Sequence, residues 1–134
     1  MHMDVIDLRD FYGRPLGRVA RHHIARRIAQ VWPDLRGLSL LGLGFATPYL
    51  APFIGQAERV IGLMPARQGV MQWPAEGKCL TGLVDELELP LGDESMDRVL
   101  VVHGLEASES LRGMLRQIWR VLAPGGRVLI VVPN

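Results

Sequence analysis

The sequence predicts an α/β fold: an open parallel sheet flanked by helices. Three observations carry the prediction. Short apolar runs recur along the chain, at Leu38–Leu43, Arg59–Leu63, Leu80–Val84, Val99–Val102 and Arg127–Val132. Helical or long irregular segments separate them, as crossovers between parallel strands must. The first run ends in Gly42-Leu43-Gly44, followed by Thr47-Pro48. A strand turning through glycines into a helix start is how such sheets meet nucleotide-like ligands.

The N-terminal residues 1–37 read as a helical segment and a possible lid, and residues 38–134 as the core of a single domain. From Leu16 to Val31, apolar residues at Leu16, Val19, Ala20, Ile24, Ile28 and Val31 have the spacing of one helix face. Arg14, Arg18, Arg21, His22, Arg26 and Arg27 lie opposite, a solvated surface. Phe11-Tyr12-Gly13 precedes this helix. Its aromatics either seal the helix on the sheet or fold over a ligand with Tyr12 donating a hydrogen bond. Leu38 to Leu43, apolar on both faces, reads as a central strand. Thr47 is the expected N-cap of a short helix, with Pro48 at its first position. Arg59 to Leu63 is the second strand and Leu80 to Val84 the third, leading into Asp85-Glu86-Leu87-Glu88-Leu89-Pro90. Met96-Asp97-Arg98 introduces the fourth strand, which ends at His103-Gly104. A helix from about Glu109 to Leu122 follows, with Leu111, Met114, Leu115, Ile118 and Leu122 on its predicted buried stripe. Pro124-Gly125-Gly126 stops it before the fifth strand. Trp32, Trp73 and Trp119 are read as packing residues.

Composition narrows the function. The chain of 134 residues is 49% hydrophobic and 22% charged, as in an ordinary soluble domain. A formal net charge of +1 predicts no bulk attraction to nucleic acid or membranes. Cys79 stands alone, which leaves no intrachain disulfide and no cysteine-based metal site. No apolar run reaches the ~18 residues of a membrane span, and Asp4, Asp7 and Asp10 fall where a signal peptide needs an apolar core. A cytoplasmic location is the expectation.

Four landmarks in order resemble the class I S-adenosylmethionine-dependent methyltransferases, in particular the type 11 methyltransferase domain. They are Leu41-Gly42-Leu43-Gly44, Asp85 with Leu89-Pro90, Asp93-Glu94-Ser95-Met96-Asp97, and Arg120-Val121-Leu122-Ala123-Pro124-Gly125-Gly126. The resemblance implies a Rossmann-like sheet of order 3-2-1-4-5 and S-adenosylmethionine as cofactor. It implies a small-molecule methyl acceptor, with no nucleic-acid or membrane partner. By the same resemblance Leu41, Gly42 and Gly44 bring backbone to the cofactor and Asp85 accepts from the adenine amino group. Glu86 and Leu87 would flank the ring. His103 would stand where methyl group and acceptor meet, as a candidate base, with Glu106 as a second candidate. With Phe11-Tyr12-Gly13 folded over the cofactor, Tyr12 would be the lid residue.

The sequence departs from the family pattern twice. Leu40 stands where an acidic residue usually precedes the first glycine, and Met64 where the ribose-binding acid is expected, after the second strand. Those departures keep open a non-catalytic binding or scaffold protein of the same fold. A nicotinamide-dependent oxidoreductase fits less well, because its fingerprint wants Gly or Ala at Thr47. Family members continue past strand five with a helix and two strands. The chain is therefore expected to be truncated there, or to cover the apolar edge of Val128–Val132 with a second copy.

Overall fold

The computed structural model describes residues 5–65, 81–85, 87–105 and 108–133. Two helices open the chain, α1 (Val5–Gly13) and α2 (Pro15–Val31), followed by β1 (Ser39–Gly44) and the short α3 (Thr47–Leu50). Then come β2 (Arg59–Pro65), β3 (Thr81–Val84), β4 (Met96–Val102), α4 (Leu111–Val121) and β5 (Leu122–Val131). All strand pairs are parallel, and the sheet runs β3-β2-β1-β4-β5. The strand order reverses between β1 and β4, so a crevice opens outside their carboxyl ends.

Two cores sandwich the sheet. On one face Leu40, Tyr49, Leu50, Met64, Leu100 and Val102 pack beneath α1 and α2 with Leu8, Ile28 and Trp32. On the other, Leu41, Leu43, Val99 and Val101 pack against Met114, Ile118 and Val121 of α4. The alternation Leu40/Leu41 and Leu100/Val101 follows from the two-residue period of a strand with both faces covered.

Several expectations are corrected. The described N-terminal segment holds two helices rather than one, because Leu8 and Tyr12, four apart, bury one face of α1. On α2 the buried residues are Gly17 and Ile28, whereas Leu16 is 72% and Val19 55% exposed. Gly17 sits over the Phe11 carbonyl, and that close approach rotates the helix away from the face counted from its apolar residues. On α4, Leu111 and Leu115 are exposed and Val121 takes their place in the core. Trp119, read as packing, is 79% exposed. Trp32 is buried, and Trp73 and Cys79 lie outside the described residues. Ala46, not Thr47, is the N-cap of α3, with no side-chain cap bond. Pro124-Gly125-Gly126 does not lie ahead of the last strand but inside β5, as an irregularity. Met96 pairs with Leu122 and Arg98 already with Arg127, so the intervening residues bulge, with Gly125 at φ 78°.

Candidate active site at the carboxyl ends of β1 and β4

The turn after β1 is locked to the end of β4. The Phe45 amide donates to the Val102 carbonyl at 2.7 Å. Gly44 has φ 86°, a left-handed conformation that favours glycine, and a Cβ there would strike the Val102 carbonyl and the Gly104 backbone. A Cβ on Gly42 would meet the Leu50 side chain and Ala46. Both glycines therefore lack side chains first of all to let protein pack on protein. Leu41 is fully buried within β1, paired with β2 on one side and β4 on the other, and presents no atom to the crevice.

Over this turn lies an aromatic group assembled from three segments. Tyr12, near the end of α1, stacks on Phe45 with centroids 5.8 Å apart and an interplanar angle of 11°. The Tyr12 hydroxyl lies 2.8 Å from His103 Nε2, and the Tyr49 hydroxyl donates to Tyr12 at 2.8 Å. Burial, and then the bond to Tyr12, push the Tyr49 phenol well above its usual range, so it stays a donor. With His103 in its Nδ1–H tautomer, the chain of donors runs Tyr49 to Tyr12 to His103 Nε2. His103 itself is half-buried and has φ 54°. A non-glycine residue in that region is held there by its surroundings, here by its amide donating to the Val131 carbonyl at 3.3 Å.

Beside this group a cleft of about 250 Å³ is lined by Arg9, Tyr12, Arg21, Phe45, Thr47 and Pro48. Arg9 and Arg21 were not singled out by the sequence for this position. The spacing of Leu8 and Tyr12 could have revealed α1 and hence Arg9, but only its packing on α2 brings the two arginines to one opening, where Arg9 Nη2 lies 3.7 Å from Asp10 Oδ1.

Asp85 follows β3, two strands from β1 and hence about 10 Å away in the sheet. It is exposed, and its Oδ1 accepts from the Leu87 amide at 2.9 Å, closing a turn that also joins the Glu88 amide to the Asp85 carbonyl. Leu87 is 49% exposed and rests over Gly113 of α4. Met64, at the position of the expected ribose-binding acid, has its side chain 1% exposed, within the core under α1 and α2. Glu86 and Glu106 lie outside the described residues. The structure thus brings Gly44, Tyr12 and His103 together, leaves Asp85 at the same carboxyl end of the sheet, and buries Met64 in the core.

The other two landmarks meet at the opposite edge. The Arg120 guanidinium donates to the carbonyls of Leu89 and Leu91 at 2.9 and 2.8 Å, to Asp93 at 2.8 Å and to Gln117. The Asp97 carboxylate accepts from the Ser39 amide at 2.9 Å and ties β4 to the start of β1. The most distinctive sequence motifs are scaffold, at the amino ends of the strands.

A family model described as a methyltransferase domain matches residues 41–130. A 2-phytyl-1,4-naphthoquinone methyltransferase of Thermosynechococcus vestitus is 30% identical, over 82% of this chain and 53% of that one. A demethylmenaquinone methyltransferase of Lactococcus lactis is 31% identical, over 73% of this chain and 43% of that one. Among solved structures, an S-adenosylmethionine-dependent methyltransferase from Mesorhizobium loti superposes with a TM-score of 0.62 at 21% identity, over 78% of this chain and 51% of that one. The chain spans about half the length of these relatives.

Proposed function

The chain belongs to the methyltransferase-domain family, and on that premise we propose that it serves an S-adenosylmethionine-dependent methyltransferase acting on a small molecule of the quinone class. The observation that carries the reading is the Tyr12–His103 pair beside the Gly44-Phe45 turn, at the crevice where strand order reverses. The residues present suit the cofactor's chemistry at two ends. Arg9 and Arg21 face the cleft and suit an amino-acid carboxylate. Asp85 has a carboxylate to accept from an adenine amino group. A carboxylate for the ribose is lacking, since Met64 is turned into the core. One such hydrogen bond contributes about 1.5–3 kcal/mol, so its loss weakens affinity without abolishing it.

When bound, S-adenosylmethionine supplies a sulfonium methyl group that is already reactive. The protein's share is alignment and exclusion of water. Tyr12 covers the turn as a lid, and its hydroxyl fixes the His103 ring. Because Nε2 is engaged by Tyr12, His103 is assigned as a positioning residue that walls the acceptor side, rather than as the base itself. A quinone-class acceptor is supported by the two relatives' names and by the Tyr12 and Phe45 rings that line the cleft. Association of two copies along the outer edge of β5 belongs to the same reading, supported by the exposed Val128, Ile130 and Val132.

A non-catalytic scaffold is the second reading, favoured by Met64 and by the use of Asp85 as a turn cap. Calorimetry with S-adenosylhomocysteine separates the two. Saturable binding at one site is expected, and radiolabelled transfer from S-adenosylmethionine to a reduced naphthoquinone should accompany it. Absence of binding would leave the scaffold reading in possession.

A further inference from the structure

The formal net charge of +1 is a sum, and it hides where the charges lie. Between Asp10 and Asp34 the sequence has no acidic residue but five arginines and two histidines, which leaves the rest of the chain with an acidic excess. Arg14, the N-cap of α2, and Arg18, His22, Arg26 and Arg27 on it are exposed. Leu16 at 72% and Val19 at 55% are more exposed than apolar side chains of a packed helix. They project on the side away from Gly17 and Ile28, the residues that α2 buries. At 3.6 residues per turn, Arg18 and His22 flank this apolar pair on one side and Arg27 on the other.

Two chemistries attract a row of guanidiniums: a nucleic-acid backbone and an anionic lipid surface. The face of α2 has no phenylalanine, tyrosine or tryptophan on which a base could stack, only the rings of His22 and His23, and phosphate contacts leave Leu16 and Val19 in water. A bilayer surface takes both kinds of side chain. Apolar groups enter at the headgroup level while long arginine side chains reach around them to the phosphates. Arg21, on the opposite side of the same helix, lines the cleft beside Tyr12, so the width of α2, about 10–12 Å, separates the docked face from the cleft.

We propose that the outer face of α2 docks on an anionic membrane surface, with Leu16 and Val19 at the headgroup level and the arginines on lipid phosphates, so that an acceptor with a hydrocarbon tail reaches the cleft from the bilayer. The proposal rests on the quinone-class reading above for the nature of the acceptor, since a phytyl-bearing naphthoquinone partitions into lipid. The docking itself requires neither cofactor nor acceptor. Among the described residues no helix is long and apolar enough to cross a membrane.

Flotation of the 134-residue chain with vesicles tests it. The chain should float with vesicles of phosphatidylcholine mixed with phosphatidylglycerol and stay behind with phosphatidylcholine alone. Salt that shortens the Debye length to about 3 Å should release it. Arg18→Gln with Arg26→Gln should lower partitioning by roughly fivefold per cation removed, and Leu16→Ser with Val19→Ser should lower it as well. Both variants should keep the wild-type circular dichroism and affinity for S-adenosylhomocysteine. No flotation with the mixed vesicles at low salt would overturn the proposal, as would flotation indifferent to both double variants. Retarded migration of single-stranded RNA without flotation would overturn it too and make the stripe a polyanion site. Flotation as expected, with no transfer to a reduced naphthoquinone, would uphold the docking while removing the acceptor class.

Discussion

The Tyr12 hydroxyl and His103 Nε2, 91 positions apart in the chain, lie 2.8 Å from each other. The contact joins the N-terminal helix to the end of β4 across the turn after β1. Tyr49 extends it into the core, so Tyr12 is anchored from below as well as from the side.

Replacing Tyr12 by phenylalanine keeps the ring on Phe45 but strands the buried Tyr49 hydroxyl. A loss of about 1–3 kcal/mol of stability is expected, the cost of an unsatisfied buried donor. Methyl transfer should fall further than cofactor affinity does, because the His103 ring is released. Urea unfolding and single-turnover assays on the same preparation measure both.

Gly44→Ala is expected to destabilise the fold itself, not only to block a ligand. A Cβ there meets the Val102 carbonyl, and φ 86° is strained for any side chain. A cost of about 1–3 kcal/mol follows from the backbone conformation before the clash is added. Thermal melting without cofactor should already show it. An unchanged melting temperature would contradict the close contact.

Asp85 has two roles that one substitution separates. Asp85→Asn retains an oxygen to cap the Leu87 amide but loses the charge. Its melting temperature should stay near that of the wild type, while affinity for S-adenosylhomocysteine falls by about 1–3 kcal/mol. Asp85→Ala should lose both. Equal affinities for wild type and Asp85→Asn would assign the carboxylate to the turn alone.

Arg120→Met removes the clamp on Leu89, Leu91 and Asp93 at the edge of the sheet remote from the cleft. With its side chain only 30% exposed, this residue leaves partly buried carbonyls without a donor, and about 2–3 kcal/mol of stability should go. Affinity for S-adenosylhomocysteine, measured well below the melting temperature, should hardly change.

Among the described residues no strand pairs with the outer edge of β5, where Val128 and Ile130 are exposed. Sedimentation should show concentration-dependent association of the 134-residue chain, and Ile130→Lys should reduce it by placing a charge at the edge.

How much of this was legible depends on the range of the interaction concerned. The strands were legible because burial on both faces demands continuous apolar runs, and Leu38–Leu43 and Val99–Val102 have no other stable use. The short helix after Thr47 and the scaffold motifs around Asp93 and Arg120 were legible through local chemistry and family resemblance. Helix faces were less so. Counting apolar residues placed Leu16, Val19 and Leu115 inside, yet the position of a helix is set by what it can approach closely. Gly17 over the Phe11 carbonyl and Val121 against the sheet won those places.

The sequence by itself determined that the chain forms a parallel α/β sheet with a glycine turn after its first strand, because strand periodicity and glycine's missing side chain act over a few residues. Only the tertiary structure decided what that turn is for and what stands over it. Gly44 makes room for β4, Met64 faces the core, and Tyr12, Tyr49 and His103 meet although 91 positions separate the outer two. Contacts of such separation exist only once β1 and β4 lie side by side, for their partners are chosen by the packing of whole elements and not by any spacing along the chain.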